Sequence, residues 1–264
     1  MNAIPASALA LTMAACGTEA PLGTQSSESF GVAGSTVTIA DPELKKFSTG
    51  INNAMDELYR RGVCTINVTV NDLKKHPDLE NINNRGRAAG RGFPGGELYL
   101  SSDIDPAKEK LPIYDLTAHE GGHACVTTGR EFTEEITAPR SDLKVRFAHG
   151  FYLEVDDSPD APGTGSLDEA AVEWMKQEVI DMPSPISSEY AGTTQLFGAF
   201  AAERGISLTT VADLHRESNV PGIVQELTGE TPTADRIGCV VLEFVKVQTR
   251  ATAVDAAARA IRNC

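Results

Sequence analysis

The stretch His119-Glu120-Gly121-Gly122-His123 places two imidazoles four residues apart, with a carboxylate directly after the first. On an α-helix four residues advance the chain by about 400°, so His119 and His123 share one face and lie one turn apart. Two imidazoles in this relation can bind one metal ion. Glu120 lies about 100° round the helix from His119, near the metal but outside a ligand position. The sequence therefore predicts a metal-binding helix over residues 113–127.

The pattern H-E-x-x-H is rare by chance, which makes it a specific signal. With 5 histidines in 264 residues, about 0.007 copies are expected at random. The motif is typical of zinc hydrolases, in which the glutamate acts as the general base. The two adjacent glycines cost about 1 kcal/mol each relative to alanine in a helix, so we expect another backbone to approach this helix closely.

Composition and charge restrict the class of protein. The 264 residues are 41% hydrophobic, which is enough for a substantial core. A net charge of −14 and a pI near 4.8 argue against nucleic acid and anionic membrane surfaces as partners. Since no run of about 18 apolar residues occurs, we expect no transmembrane span.

The N-terminus resembles an export signal. Residues 4–15 are small and apolar, and Met13-Ala14-Ala15-Cys16-Gly17 resembles the end of a bacterial lipoprotein signal with Cys16 as the lipidated residue, although no Lys or Arg opens it. We expect residues 1–16 to be a signal or lipoprotein peptide and residues 17–34 a flexible tether. The protein would then be exported, and either secreted or lipid-anchored at the cell surface.

The remaining cysteines suit two disulfides in an oxidising compartment, with three connectivities to choose from. They are Cys64, Cys125, Cys239 and Cys264. We favour Cys239 with Cys264, because the helical patterns at residues 234–247 and 251–262 can fold back on each other. Cys64 would then meet Cys125, which points about 200° away from His123 and is no ligand.

Hydrophobic periodicity predicts an α+β fold in which a small mixed N-terminal sheet and the metal helix precede a mostly helical half. We expect an α/β part over residues 35–165 and a helical part over 166–264. Strands are predicted at 35–40, 64–70, 97–102 and 150–155, and further helices at 42–61, 167–180, 190–204, 208–218 and 221–228. Residues 81–96 and most of 128–166 are predicted to be loops.

A catalytic zinc ion needs a third protein ligand. The metzincin continuation would require Gly at 126 and His at 129, but Val126 and Gly129 stand there. Candidates elsewhere are His149, His215 and later carboxylates. Glu169 and Glu173 fall at i and i+4 on one predicted helical face, where two like charges repel unless a cation or another partner compensates. This pair is therefore the strongest candidate.

The two motifs together resemble the gluzincin metallopeptidases, the thermolysin-like group, whose second motif is Glu-x-x-x-Asp preceded by Asn or Asp. The resemblance implies a zincin-like fold and Zn²⁺ bound by His119, His123 and Glu169. It also implies Glu120 as the general base and Glu173 as the acceptor of a hydrogen bond from the distal N–H of His119. Glu173 stands where the family often has Asp, so the length of that hydrogen bond is open.

Two other interpretations of this segment stay open. Ser166-x-x-Glu169 also fits a capping box, in which the glutamate reaches back to the helix N-terminus. In the aspzincin pattern the third ligand is an Asp, and Asp168 could serve, but Gly192-Thr193-Thr194-Gln195 lacks the Asp of that group's Gly-Thr motif.

The expected activity is hydrolysis of peptide bonds, with Glu120 taking a proton from water and passing it to the leaving amine. An oxyanion donor is also needed, and Tyr190 is favoured over His149 and His215 because it opens the helix after the Glu169 segment. Glu97–Leu100 resembles the edge strand that pairs with extended substrates. It also fits an ordinary sheet strand.

Two further hypotheses concern the acidic loop and the class of protein. Asp156, Asp157 and Asp160 suit a solvated loop better than a calcium site, since EF-hand spacing is missing. The alternative to a zinc peptidase is an exported, non-catalytic zinc-containing binding or adhesion module. Glu120 argues for the enzyme, because a structural site has no use for a base beside its ligands.

Overall fold

The computed structural model describes residues 35–77, 90–105, 112–137, 144–155, 165–180, 190–250 and 254–264. The predicted signal and tether (residues 1–34) and the acidic cluster at residues 156–160 lie outside these ranges. The predictions made for them therefore stay predictions.

A four-stranded mixed sheet forms the N-terminal half, in the order β1-β2-β4-β3. Its strands are β1 (Val37–Ile39), β2 (Val68–Asp72), β3 (Gly90–Phe93) and β4 (Glu97–Leu100). β1, β2 and β4 are parallel to one another, while β3 runs antiparallel to β4. Alternate residues of β2 and β4, such as Val70 and Leu98, are fully buried, which matches the predicted period of two.

Eight α-helices lie within the described residues, and five of them follow one another at the C-terminal end. They are α1 (Ser48–Arg60), α2 (Ile113–Ala124), α3 (Ser166–Val179), α4 (Ala191–Arg204), α5 (Leu208–Arg216), α6 (Val220–Thr228), α7 (Ala234–Arg250) and α8 (Val254–Arg262). A 3-10 helix, Pro42–Phe47, leads directly into α1. One hydrophobic cluster extends from α1 and the sheet to α8. The α+β class, with the sheet first and the helices after it, is confirmed.

The segment after α2 departs from the prediction. A three-stranded antiparallel sheet, in the order β5-β6-β7, occupies much of the region predicted to be loop. Its strands are β5 (Arg130–Thr137), β6 (Lys144–His149) and β7 (Tyr152–Val155). Only β7 is predicted from the sequence. The register shifts between Glu131 and Ile136 interrupt the alternation by which a strand is recognised.

The two glycines of α2 allow close packing against two other helices. A Cβ at Gly121 would lie 2.8 Å from Leu58 Cδ1 of α1, and a Cβ at Gly122 would lie 2.8 Å from Val172 Cγ1 of α3. The neighbours are side chains, so the prediction of a backbone neighbour is wrong at these two positions. The contact with Val172 matters for the site, because it brings the face of α3 that carries Glu169 and Glu173 against the histidines.

A backbone does approach α2, but the glycine that permits it lies in the strand. β3 is the edge strand of the sheet, and a Cβ at Gly92 would lie 1.9 Å from the carbonyl oxygen of Glu120 and 2.8 Å from the nitrogen of Ala124. β4 lies between β2 and β3, so Glu97–Leu100 is not the edge strand. That prediction is wrong, as is the predicted loop over residues 90–93.

Two disulfides link Cys64 to Cys125 and Cys239 to Cys264, which is the favoured pairing. The first joins the turn after α1 to the residue that ends α2. The second holds α7 and α8 together as an antiparallel pair. In the part of the chain that the structure describes, no helix is both long and apolar enough to cross a membrane.

Candidate metal centre

Three side chains from α2 and α3 converge on one point. Nε2 of His119 lies 3.1 Å from Oε2 of Glu169, and Nε2 of His123 lies 3.4 Å from the same oxygen. The side chains are 12%, 13% and 19% exposed, for His119, His123 and Glu169 respectively, so the cluster remains open to solvent. The sequence-predicted ligand set is thus brought together.

The spacing of these atoms fits a tetrahedral zinc site. Ligand atoms about 2.0–2.1 Å from zinc in a tetrahedron lie about 3.3–3.4 Å from one another. The two measured distances, 3.1 and 3.4 Å, agree with this value. Two imidazole nitrogens and one carboxylate oxygen are also a donor set that suits zinc. The residues present therefore fit a zinc ion held by His119, His123 and Glu169.

The distal nitrogens of both histidines contact carboxylates. Nδ1 of His119 lies 2.8 Å from Oε2 of Glu173, and Nδ1 of His123 lies 2.9 Å from Oδ2 of Asp168. Such contacts fix the tautomer with hydrogen on Nδ1, which leaves Nε2 with a lone pair for a metal. Glu173 therefore contacts His119 at hydrogen-bond distance, although its side chain is longer than that of the Asp often found at this position in gluzincins. Asp168 lies on the Nδ1 side of His123, which disagrees with the fallback in which it is the third ligand.

Charge makes the cluster attract cations. Burial by itself would raise the pKa of Glu169, but the positive charge of His123 and hydrogen bonds from both histidines outweigh it and lower that pKa. The pKa of Asp168 is lowered for the same kind of reason, by His215 and His123 against the effect of burial. Both carboxylates are therefore ionised at neutral pH.

The pKa values of the two imidazoles shift in the opposite direction, upward. Burial would lower the pKa of His119, but hydrogen bonds to Glu169 and Glu173 outweigh burial and raise that pKa to about 9. The pKa of His123 is raised well above its usual value, since the charge of Glu169 and the contact with Asp168 overcome burial. Without a metal ion, protons bind the histidine nitrogens that would otherwise bind the metal cation. Protons and metal therefore compete for His119 and His123.

This competition predicts a pH-dependent stability in the presence of a chelator. The pKa of His119 is about 6.5 in the unfolded chain and about 9 when folded. The stabilisation is complete below pH 6.5 and is lost as the pH rises through 9, by about 3 kcal/mol. Urea unfolding in EDTA at several pH values measures it, and His119→Gln should flatten the curve. An unchanged slope in His119→Gln would contradict the assignment.

Glu120 lies beside the cluster and is held by the edge strand. Its Oε2 accepts a hydrogen bond of 2.9 Å from the backbone N–H of Gly92. The same side chain packs against β3 at Gly90, where a Cβ would lie 3.0 Å from Glu120 Cγ. Glu120 is not a member of the group His119, His123 and Glu169 whose ligand atoms converge in the described residues.

Replacing Gly92 by Ala should therefore disturb both the strand and Glu120. The added methyl group meets backbone atoms of α2, which cannot rotate away. We expect a loss of about 1–3 kcal/mol in the free energy of unfolding, measured by urea denaturation. Arg91→Ala is the control, since neighbouring side chains in a strand point to opposite faces. Equal stability of wild type and Gly92→Ala would contradict the close contact.

Tyr190 lies next to His119 at the start of α4. The two rings are nearly parallel, at 12°, with centroids 6.0 Å apart. The structure thus brings this predicted residue to the cluster. His215 lies on the far side, where Nε2 is 2.9 Å from Oδ1 of Asp168 and the side chain is buried. It cannot act as the oxyanion donor. His149 is the last residue of β6.

The capping-box interpretation does not hold. Gly165 is the residue that precedes α3, and no side chain caps the helix. The hydroxyl of Ser166 donates to Oε1 of Gln248 in α7, while Glu169 turns towards the histidines. A second group of side chains whose potential ligand atoms lie close together, His123, Asp168 and His215, occurs in the described residues. Asp168 accepts hydrogen bonds within this group, and Phe151 N–H donates to it as well.

Comparisons with known proteins add no identification. No family model matches the chain, and the searches of curated proteins and of solved structures found no match either. The resemblance to gluzincins therefore rests on the two sequence motifs alone and stays a prediction.

Proposed function

We propose that this protein is a zinc-dependent metallopeptidase of gluzincin type. The observation that carries the proposal is the position of Oε2 of Glu169, 3.1 Å from Nε2 of His119 and 3.4 Å from Nε2 of His123. Glu120 lies next to this cluster and is not one of the three residues that would hold the zinc ion. A bound zinc ion would supply Lewis acidity, lowering the pKa of water and polarising a substrate carbonyl.

The chain's own residues supply the proton transfer and the orientation. Glu120 acts as the general base that accepts a proton from the attacking water and delivers it to the leaving amine. Its Oε2 accepts the Gly92 N–H, so Oε1 is the oxygen left to receive the proton. Glu173 and Asp168 hold the histidine rings, which fixes the metal position relative to Glu120.

The tetrahedral transition state also needs a hydrogen-bond donor. Tyr190 is favoured for this role because its ring lies alongside that of His119, with centroids 6.0 Å apart. We expect Tyr190→Phe to lower kcat by about 100-fold with little change in KM or in zinc affinity, since only the developing oxyanion loses a partner. Steady-state kinetics with a fluorogenic peptide measures both constants. An unchanged kcat would contradict the assignment.

A peptide or protein is the proposed substrate class. β3 is an edge strand and runs beside Glu120, so an extended chain could pair with its outer side. In this proposal β3 pairs with the substrate, in place of Glu97–Leu100, for which the sequence suggested that role. The proposed location is extracytoplasmic, supported by the two disulfides, which persist in oxidising compartments.

Loss and recovery of activity on metal exchange tests the proposal. Purified protein should hydrolyse an unstructured protein such as casein, lose this activity after dialysis against a chelator, and regain it with about one equivalent of Zn²⁺. Zinc binding without hydrolysis of any peptide library would favour the alternative, a non-catalytic binding module. Absence of zinc binding would contradict both.

A further inference from the structure

Two buried nitrogen-bearing side chains lie behind the histidines proposed as ligands, and neither belongs to the recognised motifs. Lys176 of α3 is 2% exposed and His215 of α5 is 1% exposed. Lysine is almost never buried at this level without a partner, because the ammonium group loses its hydration. The contacts made by these two residues therefore need a physical explanation.

Lys176 contacts the carboxylate that orients His119. Its Nζ lies 2.6 Å from Oε1 of Glu173, and the other oxygen of Glu173 lies 2.8 Å from Nδ1 of His119. Oε1 of Glu173 thus forms an ion pair with Lys176 that lacks standard hydrogen-bond geometry, while Oε2 contacts His119. The contacts thus run from Lys176 through Glu173 to His119, which is a proposed metal ligand.

His215 occupies the matching position behind His123. Its Nε2 lies 2.9 Å from Oδ1 of Asp168, whose Oδ2 lies 2.9 Å from Nδ1 of His123. The N–H of Phe151 donates to Oδ1 as well, at 2.6 Å. Room for this arrangement depends on Gly150, where a Cβ would lie 2.5 Å from Nε2 of His215.

A carboxylate held at both oxygens cannot rotate without breaking a contact on each side. Removing the buried donor would leave a charge uncompensated in a poorly solvated place, and the carboxylate would turn or take up a proton. Its imidazole would then lose a fixed tautomer and orientation, which are conditions for tight metal binding.

We propose that Lys176 and His215 are positioning residues of the metal centre, each holding the carboxylate that orients one ligand imidazole. The inference rests on the proposed zinc site. It adds two residues, Lys176 and His215, that lie outside both H-E-x-x-H and the Glu169 motif. Each residue serves a different ligand: Lys176 serves His119, and His215 serves His123.

The test measures Zn²⁺ affinity by competition with a chromophoric chelator in Lys176→Met and His215→Met. Each variant should bind zinc about tenfold more weakly than wild type. His215→Gln keeps a donor near the position of Nε2 and should stay close to wild type. Val179→Ala and Val211→Ala, buried apolar changes in the same helices, should lower stability but leave the zinc affinity unchanged.

A second measurement separates the two chains of contacts. Side-chain ¹⁵N NMR in the presence of a chelator should show hydrogen-bonded Nδ1–H signals for His119 and His123. Lys176→Met should perturb the His119 signal alone, and His215→Met the His123 signal alone. Should the Met variants not fold, Lys176→Gln, whose side chain is shorter than that of lysine, should bind zinc more weakly than wild type and perturb the His119 signal, while His215→Gln stays close to wild type.

The outcomes distinguish this inference from the function on which it rests. Tight zinc binding by wild type, together with unchanged affinity and unchanged NMR signals in the variants, would overturn the positioning role and leave the zinc site standing. Absence of zinc binding in wild type would overturn the proposed function and this inference together. Weaker binding in Val179→Ala and Val211→Ala, to the same degree, would assign the effect to general destabilisation and overturn the inference.

Discussion

Glu120→Gln should abolish nearly all hydrolysis while the protein keeps its zinc. The substitution preserves size and one oxygen acceptor but removes the basic oxygen, and a general base contributes about 10²–10⁴ to the rate. Because Glu120 is held by Gly92 N–H rather than by the metal ligands, zinc affinity should change little. We expect kcat to fall by about 100- to 10,000-fold, measured by peptide hydrolysis at saturating substrate.

The matched control is Glu226→Gln, which removes an exposed carboxylate from α6. It should leave both kcat and zinc content at wild-type values. A Glu120→Gln variant that retains zinc and more than about a tenth of the activity would contradict the role of Glu120 as base.

Glu169→Gln should weaken zinc binding more than any other single change in α3. The amide keeps the shape of the side chain but loses the negative charge that faces both imidazoles at 3.1 and 3.4 Å. A lost ligand costs more than the 10- to 100-fold typical of residues behind the ligands, so we expect at least about a 100-fold rise in the zinc Kd. Competition with a chelator of known affinity measures it.

Glu178→Gln provides the control on the same helix, since Glu178 is exposed to solvent. Its zinc affinity should match that of wild type. Equal affinities of Glu169→Gln and wild type would show that the third ligand lies elsewhere, and the i, i+4 pairing of Glu169 with Glu173 would then need another explanation.

Most helices, and the clustering of His119, His123 and Glu169, could be predicted because periodic patterns report directly on helical faces. The i, i+4 spacing puts His119 with His123, and Glu169 with Glu173, on single faces of α2 and α3. The close packing of the two helices, which joins these faces, depends on Gly122 meeting Val172. A glycine in a helix indicates close packing but does not identify the neighbour.

The edge strand and the small second sheet could not be predicted for a different reason. β3 reads Gly-Arg-Gly-Phe, and glycine is depleted in strands. The strand forms here because only a residue without Cβ fits against the backbone of Glu120. β5 is rich in charged residues and its pairing register shifts, so its sequence lacks regular alternation.

The residues behind the ligands show a further limit of sequence patterns. Asp168 precedes the third ligand directly, so its contact with His123 could be anticipated from the motif. Lys176 and His215 carry no such signal, because a sequence does not show which of its lysine and histidine side chains are buried. Their burial follows from the packing of α3 and α5 around the same carboxylates.

Zinc K-edge X-ray absorption of the protein loaded with one equivalent of Zn²⁺ identifies the atoms bound to the metal. We expect two imidazole nitrogens and carboxylate oxygen at about 2.0–2.2 Å, and no sulfur. We also expect the signal of one imidazole to disappear in His123→Ala. A spectrum with sulfur at about 2.3 Å, or one that is identical in wild type and His123→Ala, would contradict the proposed zinc site.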